Sequence, residues 1–269
     1  MAETTLICIL EVDRKFFGSV SEENLELHDM TNLKIINTLK TASFTDEDGE
    51  NYTLDFLDPL SEAEIQELRE SFPKKRIAAE LLEIFQVTRG WDSAAFNMVY
   101  FNSIDEFGFW ELSPHSITLG HDGFGNYWVL DIDNNGDLGK VFFACHDPAV
   151  FMVHSQNLNE YLRHLLDFHE NPIENYVNNF QINTVPEVWQ HNTNCTPKTD
   201  FLHIKPQFRD FLNEFEGDEW IIADLTSGEN GVGFAWGKFG PNQLVQRHPT
   251  DLIWVLKNRK KGFLGRLFG

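Results

Sequence analysis

Residues 120–168, GHDGFGNYWVLDIDNNGDLGKVFFACHDPAVFMVHSQNLNEYLRHLLDF, leave few arrangements open to the chain around them. Two short runs rich in aromatic and branched side chains, 127–132 and 140–145, flank Asn134-Asn135-Gly136-Asp137. That turn supplies the positive-φ positions of a hairpin, so the two runs are expected to pair antiparallel. Beyond them Leu158, Tyr161, Leu162, Leu165 and Leu166 recur at helical spacing, with Asn157 and Glu160 in a capping-box pattern at the start. A hairpin therefore hands its apolar face to an amphipathic helix.

The chain upstream extends this pattern. Residues 4–12 form a β-type run, and Met30, Leu33, Ile36 and Leu39 are spaced for a helix. Thr45 to Gly49 is an acidic turn, and residues 52–57 predict a short strand. At residues 60–65 the helix start is specified several times over: Ser61 caps, Glu64 answers it, and Leu60 with Ile65 can staple the entry. Pro73 ends that helix or begins the next, where Ile77, Leu81, Ile84 and Phe85 line one face and Gly90 is expected to terminate. Residues 91–119 are dense in aromatics and predict the first strands of the sheet.

This order resembles the SUKH superfamily, the Smi/Knr-type domains of fungal cell-wall regulators and bacterial immunity proteins. The resemblance spans residues 59–170. It is carried by the paired helices before Gly90, the Gly125-Asn126 turn, a strand ending in Asp131, a strand from Val141 to His146, and the closing helix from Ser155 to Leu166. Arg89-Gly90-Trp91 stands where that family often carries Asn-Gly-Gly, and Asn126 where it carries Asp. The resemblance implies a protein-binding domain and, for its bacterial members, neutralisation of toxin domains that are often nucleases or deaminases.

After Phe168 the composition changes. Asn171-Pro172 and a polar stretch with Pro186, His191, Asn192, Asn194 and Pro197 read as a connector. Residues 206–215 predict a short amphipathic helix, and residues 220–224, 232–236 and 252–256 a small antiparallel meander with turns at 230–231 and 240–242. The end is basic from Lys257 to Lys261 and then apolar, expected to fray or dock rather than to lie on a membrane. The expected fold class is α+β: a SUKH-like antiparallel sheet packed by helices, with a C-terminal β-rich appendage. The expected division is residues 1–58 as an extension or small β-rich module, 59–170 as the central domain, 171–200 as connector and 201–269 as the C-terminal region.

Charge narrows the partners. The formal net charge is −21, and it divides as −9 over residues 1–58, −11 over 59–170 and −1 over 171–269. Such a field repels nucleic acid and anionic lipid and speeds encounter with basic proteins in a salt-sensitive way. With 24 Phe and 7 Trp the chain has material for a large aromatic core, which argues against disorder. Cys8, Cys145 and Cys195 are odd in number and show no CxxC spacing, so a reducing cytoplasmic setting is expected. No basic leader opens the sequence, and no apolar run approaches a membrane span.

Four constellations bear on chemistry. Asp131, Asp133, Asn135 and Gly136 match the opening of a calcium loop, but its twelfth position, which needs a bidentate Glu, is Phe142, so the residues are read as a hairpin turn. Cys145 and His146 are neighbours on a strand and face opposite ways; a packed thiol beside a hydrogen-bonded imidazole is expected, not a nucleophile with its base. Gly228, Gly231 and Gly233 lead into a strand and not a helix, so they form a turn and no phosphate loop. Trp91, Phe107 and Trp110 have acidic neighbours, the opposite of a single-strand nucleic-acid surface and suited to a basic protein.

The expected function is thus non-catalytic protein binding, with no metal and no cofactor. Its most specific form is an immunity-type inhibitor that docks a basic toxin domain through Trp91, Asp92, Asp105, Glu106, Trp110, Glu111, Asp122, Asn126, Asp131, Asp133 and Asp137. The alternative is a regulatory scaffold in signalling or envelope assembly. An enzyme built on Cys145 and His146 ranks last.

Overall fold

The computed structural model describes residues 30–93, 97–191, 194–217, 219–237 and 244–257. The strand expected at residues 4–12, the turn at 240–242 and the tail beyond Lys257 lie outside them. The chain divides into two compact units, Met1–Thr31 and Asn32–Gly269, and the elements below belong to the second. Its helices are α1 (Asn32–Thr41), α2 (Glu62–Arg69), α3 (Ala79–Phe85), α4 (Leu158–Glu170), α5 (Tyr176–Asn179), α6 (Val185–His191), α7 (Lys198–Ile204) and α8 (Arg209–Asn213). Its strands are β1 (Phe44–Thr45), β2 (Asn51–Tyr52), β3 (Asp55–Phe56), β4 (Gly90–Ser93), β5 (Asn97–Tyr100), β6 (Ser116–His121), β7 (Tyr127–Ile132), β8 (Leu138–His146), β9 (Ala149–Ser155), β10 (Cys195–Pro197), β11 (Trp220–Asp224), β12 (Gly233–Phe234), β13 (Val245–Arg247) and β14 (Ile253–Lys257). The fold is α+β with antiparallel sheets.

Strands β3 to β9 and β12 make one sheet in the order β12-β9-β8-β7-β6-β5-β4-β3. The expected hairpin is its centre: β7 and β8 pair across a turn in which Gly136 has φ 83, and a Cβ there would meet the Arg76 carbonyl oxygen at 2.5 Å. The central strands are buried on both faces, which is why they read as continuous apolar runs. Trp128 packs on Phe143 and His154, on the side where His154 meets Tyr161 of α4 and Phe143 meets Phe180. Helix α4 buries Leu158, Tyr161, Leu162, Leu165 and Leu166 as its spacing predicts.

The other face carries Val129, Phe142, Ala144, Phe151 and Val153, which share a core with Ile221, Ala223, Trp254 and Leu256. These last four lie on β11 and β14, at the centre of a second sheet ordered β10-β11-β14-β13. The pleat sends the alternate residues Trp220, Ile222, Ile253 and Val255 to the opposite side, where Phe201, Phe208, Leu212 and Phe215 from the α7–α8 segment cover them. The layers therefore run helices, eight-stranded sheet, four-stranded sheet, helices.

Of the two arrangements left open for residues 1–58, the described part, 32–58, packs as an extension, with α1 on α4 and β3 paired with β4. Other boundaries differ from expectation. Gly90 opens β4 and does not close a helix. The expected connector holds α5, a π-helical turn at Phe180–Thr184 and α6, with Val177, Phe180, Val185 and Val188 buried. The π turn ends two residues before Pro186, the residue that cannot donate to the regular i→i−4 ladder. The stretch 232–236 does not join the C-terminal meander. Its β12 adds to the edge of the large sheet beside β9, where a Cβ on Gly233 would sit 2.6 Å from the Phe151 carbonyl oxygen, so the residue's bareness admits the pairing. The meander instead gains β10 and β13.

Candidate protein-binding surface

The expected site residues fall in separate places. Trp91 is fully buried, stacked on Phe56 with ring centroids 5.1 Å apart and set edge-on to Phe101. It is core and not surface, since the pleat that exposes its neighbour Asp92 turns Trp91 inward. Asp92 stands opposite Asp55 of the edge strand β3, two exposed carboxylates side by side.

Asp131 is also withdrawn from any surface, at 4% exposure. Arg247 grips it through both guanidinium ends, Nη2 donating to Oδ2 at 2.8 Å and Nη1 to Oδ1, while the Ser113 hydroxyl donates to Oδ1 at 3.0 Å. Asp133 and Asp137 serve the β7–β8 turn. Burial alone would raise the Asp133 carboxyl, but the N–H groups of Asp137 and Asn135 and the nearby Arg76 hold it below the usual carboxylate range. Asp137 pairs with Arg76 at 2.6 Å. That guanidinium also donates to the Asn135 carbonyl, and Lys74 reaches the Asn135 side chain.

At the opposite end of β7, the Asp122 carboxylate accepts the N–H groups of Phe124 (2.9 Å) and Asn126 (3.2 Å) and the Asn126 side-chain amide. Asn126 in turn accepts the His146 N–H at 3.1 Å. These two residues shape their loop and leave Phe124, which the sequence reading passed over, 79% exposed at its tip. Cys145 is buried and burial pushes its thiol up, as suits a packed side chain. Among the described residues no group of three His, Cys, Asp or Glu is placed to hold a metal ion, and no helix is long and apolar enough to cross a membrane.

What the fold does bring together is Asp105, Glu106, Trp110 and Glu111, all exposed on the loop between β5 and β6. Two anchors hold this loop. Phe107 is buried against Tyr127 and Phe151, with Phe109 beside it and resting on Trp236 at 5.5 Å. Leu112 is buried, and its carbonyl accepts the Trp254 indole N–H at 2.9 Å. Between the anchors Trp110 is left 72% exposed. Asp105, at φ 56, is tied to the start of β6: its N–H donates to the Ser116 carbonyl at 2.7 Å and its carboxylate accepts the Ser116 N–H at 3.2 Å. The loop encloses a cleft of about 330 Å³ lined by Asp105, Gly108, Trp110, Ser113, Pro114 and Ser116. Ser113, Pro114 and Ser116 were not singled out by sequence.

An α+β fold of stacked antiparallel sheets bearing an anchored acidic and aromatic loop is the class of protein that fold and surface define. Comparisons of the chain with models of known families, with curated proteins and with solved structures returned no match.

Proposed function

We propose that this chain is a non-catalytic binder of a basic protein, and that the β5–β6 loop is its docking surface. The observation that carries this is Trp110, a large aromatic ring held in water by a loop rooted at Phe107 and Leu112 and flanked by exposed Asp105, Glu106 and Glu111. A preformed aromatic anchor supplies contact area with little loss of loop freedom on binding, and the surrounding carboxylates steer and orient a cationic partner. Glu106 and Glu111 form no ion pair among the described residues, so their charge is available. The net charge of −21 acts in the same direction at long range.

In its more specific form the partner is a toxin domain of the nuclease or deaminase class, whose nucleic-acid surface is basic and would be masked by an acidic protein. That form rests on the resemblance of residues 59–170 to the SUKH domains. Affinity capture from lysate of the source organism, at low and high salt with identification of what is retained, tests both levels. One stoichiometric basic partner released by salt, and whose activity the chain blocks, is the expected result. Several salt-insensitive partners would replace this reading with the scaffold, and no partner at either salt concentration would overturn it.

A further inference from the structure

We propose that residues 171–191 are an acid-released latch, a segment that closes over the buried pair His154 and His164 at neutral pH and lifts off them in acid, ahead of the rest of the fold. His154 on β9 is 1% exposed, and Tyr176 of α5 and Phe180 of the π turn lie against it with ring centroids at 5.1 and 4.9 Å. His164 on α4 stacks on Tyr176 at 3.8 Å, and the Tyr176 hydroxyl donates to the His154 carbonyl at 2.9 Å. Trp128 of β7 and Tyr161 of α4 also flank His154.

The closed arrangement has no place for a proton on the pair. Ser155 Oγ lies 2.8 Å from His154 Nδ1 and 3.1 Å from His164 Nδ1, and its single hydrogen can serve only one of them. His154 Nε2 has no hydrogen-bond partner among the described residues, so a charged His154 would bury an unpaired N–H beside a second imidazole. The titratable groups that face it are Tyr161, His164 and Tyr176, and burial pushes both phenols up, so none brings a negative charge. For His164, burial weighs most; Glu160 and Asp167 on its own helix pull the other way, Arg163 adds to burial, and Ser155, His154 and Tyr176 meet it uncharged. Both carboxylates are already engaged. Glu160 accepts the Gln156 N–H and the Asn230 amide and faces Lys140 of β8, and Asp167 accepts the Tyr176 N–H and the Asn171 amide. The cover most easily lifted is the segment itself. Helix α4 buries seven of its thirteen residues, whereas residues 171–191 bury only Asn175, Val177, Phe180, Val185 and Val188. Asn171, at φ −128 and ψ 71, already ends α4, so the segment can leave without unwinding that helix. Once it has left, water reaches both rings and they take protons near their ordinary value of about 6.5, which draws the opening equilibrium forward as the pH falls.

Hydrogen exchange on the full chain at pH 7.5 and 5.0, corrected for the chemical rate and read where it reports the opening equilibrium, tests the latch. The reporters are the Asn179, Phe180 and Val185 amides, which donate to the Asn175, Tyr176 and Phe180 carbonyls, set against the amides of the β7–β8 hairpin. The segment is expected to open more readily than the hairpin at both pH values. Its opening constant is expected to rise about thirtyfold at pH 5.0 through His164 alone, and further as His154 charges. His164→Gln is expected to remove about thirtyfold of that rise, whereas His169→Gln, at a buried ring that meets Tyr52 and Phe44 instead, keeps it in full. One common opening constant for segment and hairpin, or a segment constant that does not change with pH, would overturn the latch; both readings need only the natural chain and stand even where His164→Gln fails to fold. An undiminished pH response in folded His164→Gln would overturn it equally.

Discussion

Asp131 and Arg247 form an ion pair whose side chains are only 6% and 7% exposed, with the guanidinium also lying 5.4 Å from the centre of the Trp254 ring. Desolvating both charges costs much of what their attraction returns, so the pair is better seen as a clasp between the two sheets than as a reservoir of stability. Losing one partner is a different matter, because the other stays buried and uncompensated. Asp131→Ala is therefore expected to destabilise the chain by about 3–5 kcal/mol in urea unfolding, and a loss below about 1 kcal/mol would mean that Arg247 finds water. The sequence displayed Asp131 as one of several turn-flanking acids but could not show its partner, 116 residues away. Trp91 was more legible than its grouping with Asp92 implied: strand alternation alone separates the two faces. For Asp105 the signal was weaker still, since nothing local announces a left-handed aspartate or the Ser116 N–H that its carboxylate accepts.

Elements whose causes are local were readable. Helix α2 begins where Ser61 accepts the Glu64 N–H and Glu64 reaches back to the Ser61 N–H, the reciprocal arrangement foreseen from four letters. Ser61→Ala removes it and is expected to lower stability by about 1 kcal/mol, measured as a shift in the urea midpoint with no change in slope; an unchanged midpoint would show that the cap is dispensable there. The β7–β8 hairpin and α4 were legible for the same reason, one from its Asn-Asn-Gly turn and the other from its spacing. Residues 171–191 were not, because Pro186 and a polar composition look like a linker, and only tertiary burial of Val177, Phe180, Val185 and Val188 makes the segment part of the core. Strand β12 failed for a similar reason. Its partner β9 is remote in sequence, and nothing in Gly233-Phe234 distinguishes one sheet edge from another.

At the scale of the molecule, two charge systems act in opposite places. Inside, between the large sheet and its helices, Ser155 Oγ lies 2.8 Å from His154 Nδ1 and 3.1 Å from His164 Nδ1, with Tyr176 stacked on His164 at 3.8 Å. Burial lowers His164 to about 4, against the opposing pull of Glu160, and lowers His169 to about 4, where the Tyr52 hydroxyl meets its Nδ1; His154 falls well below its ordinary value. The folded chain thus keeps these imidazoles neutral while the unfolded chain protonates them below about 6.5. The unfolded state binds more protons, so stability is full above that pH and is lost as the pH falls from about 6.5 toward 4. At pH 5, His164 and His169 are each expected to cost roughly 2 kcal/mol relative to pH 7.5, a drop that urea unfolding at the two values would register and that a flat profile would contradict.

Outside, the net charge of −21 was plain in the sequence, but its placement was not. Asp131 and Asp137 are neutralised by arginines and Asp122 is spent on its own loop, whereas the acids around Trp110 are turned outward beside an exposed aromatic ring. The measurement that bears most directly on that surface is the affinity of the captured basic partner as a function of salt, for the natural chain and for a variant carrying Asp105→Asn, Glu106→Lys and Glu111→Lys. The docking surface predicts at least about tenfold weaker binding at low salt, with the gap narrowing as salt rises and the variant's own salt slope shallower. Equal affinities and equal slopes for the two proteins would contradict it.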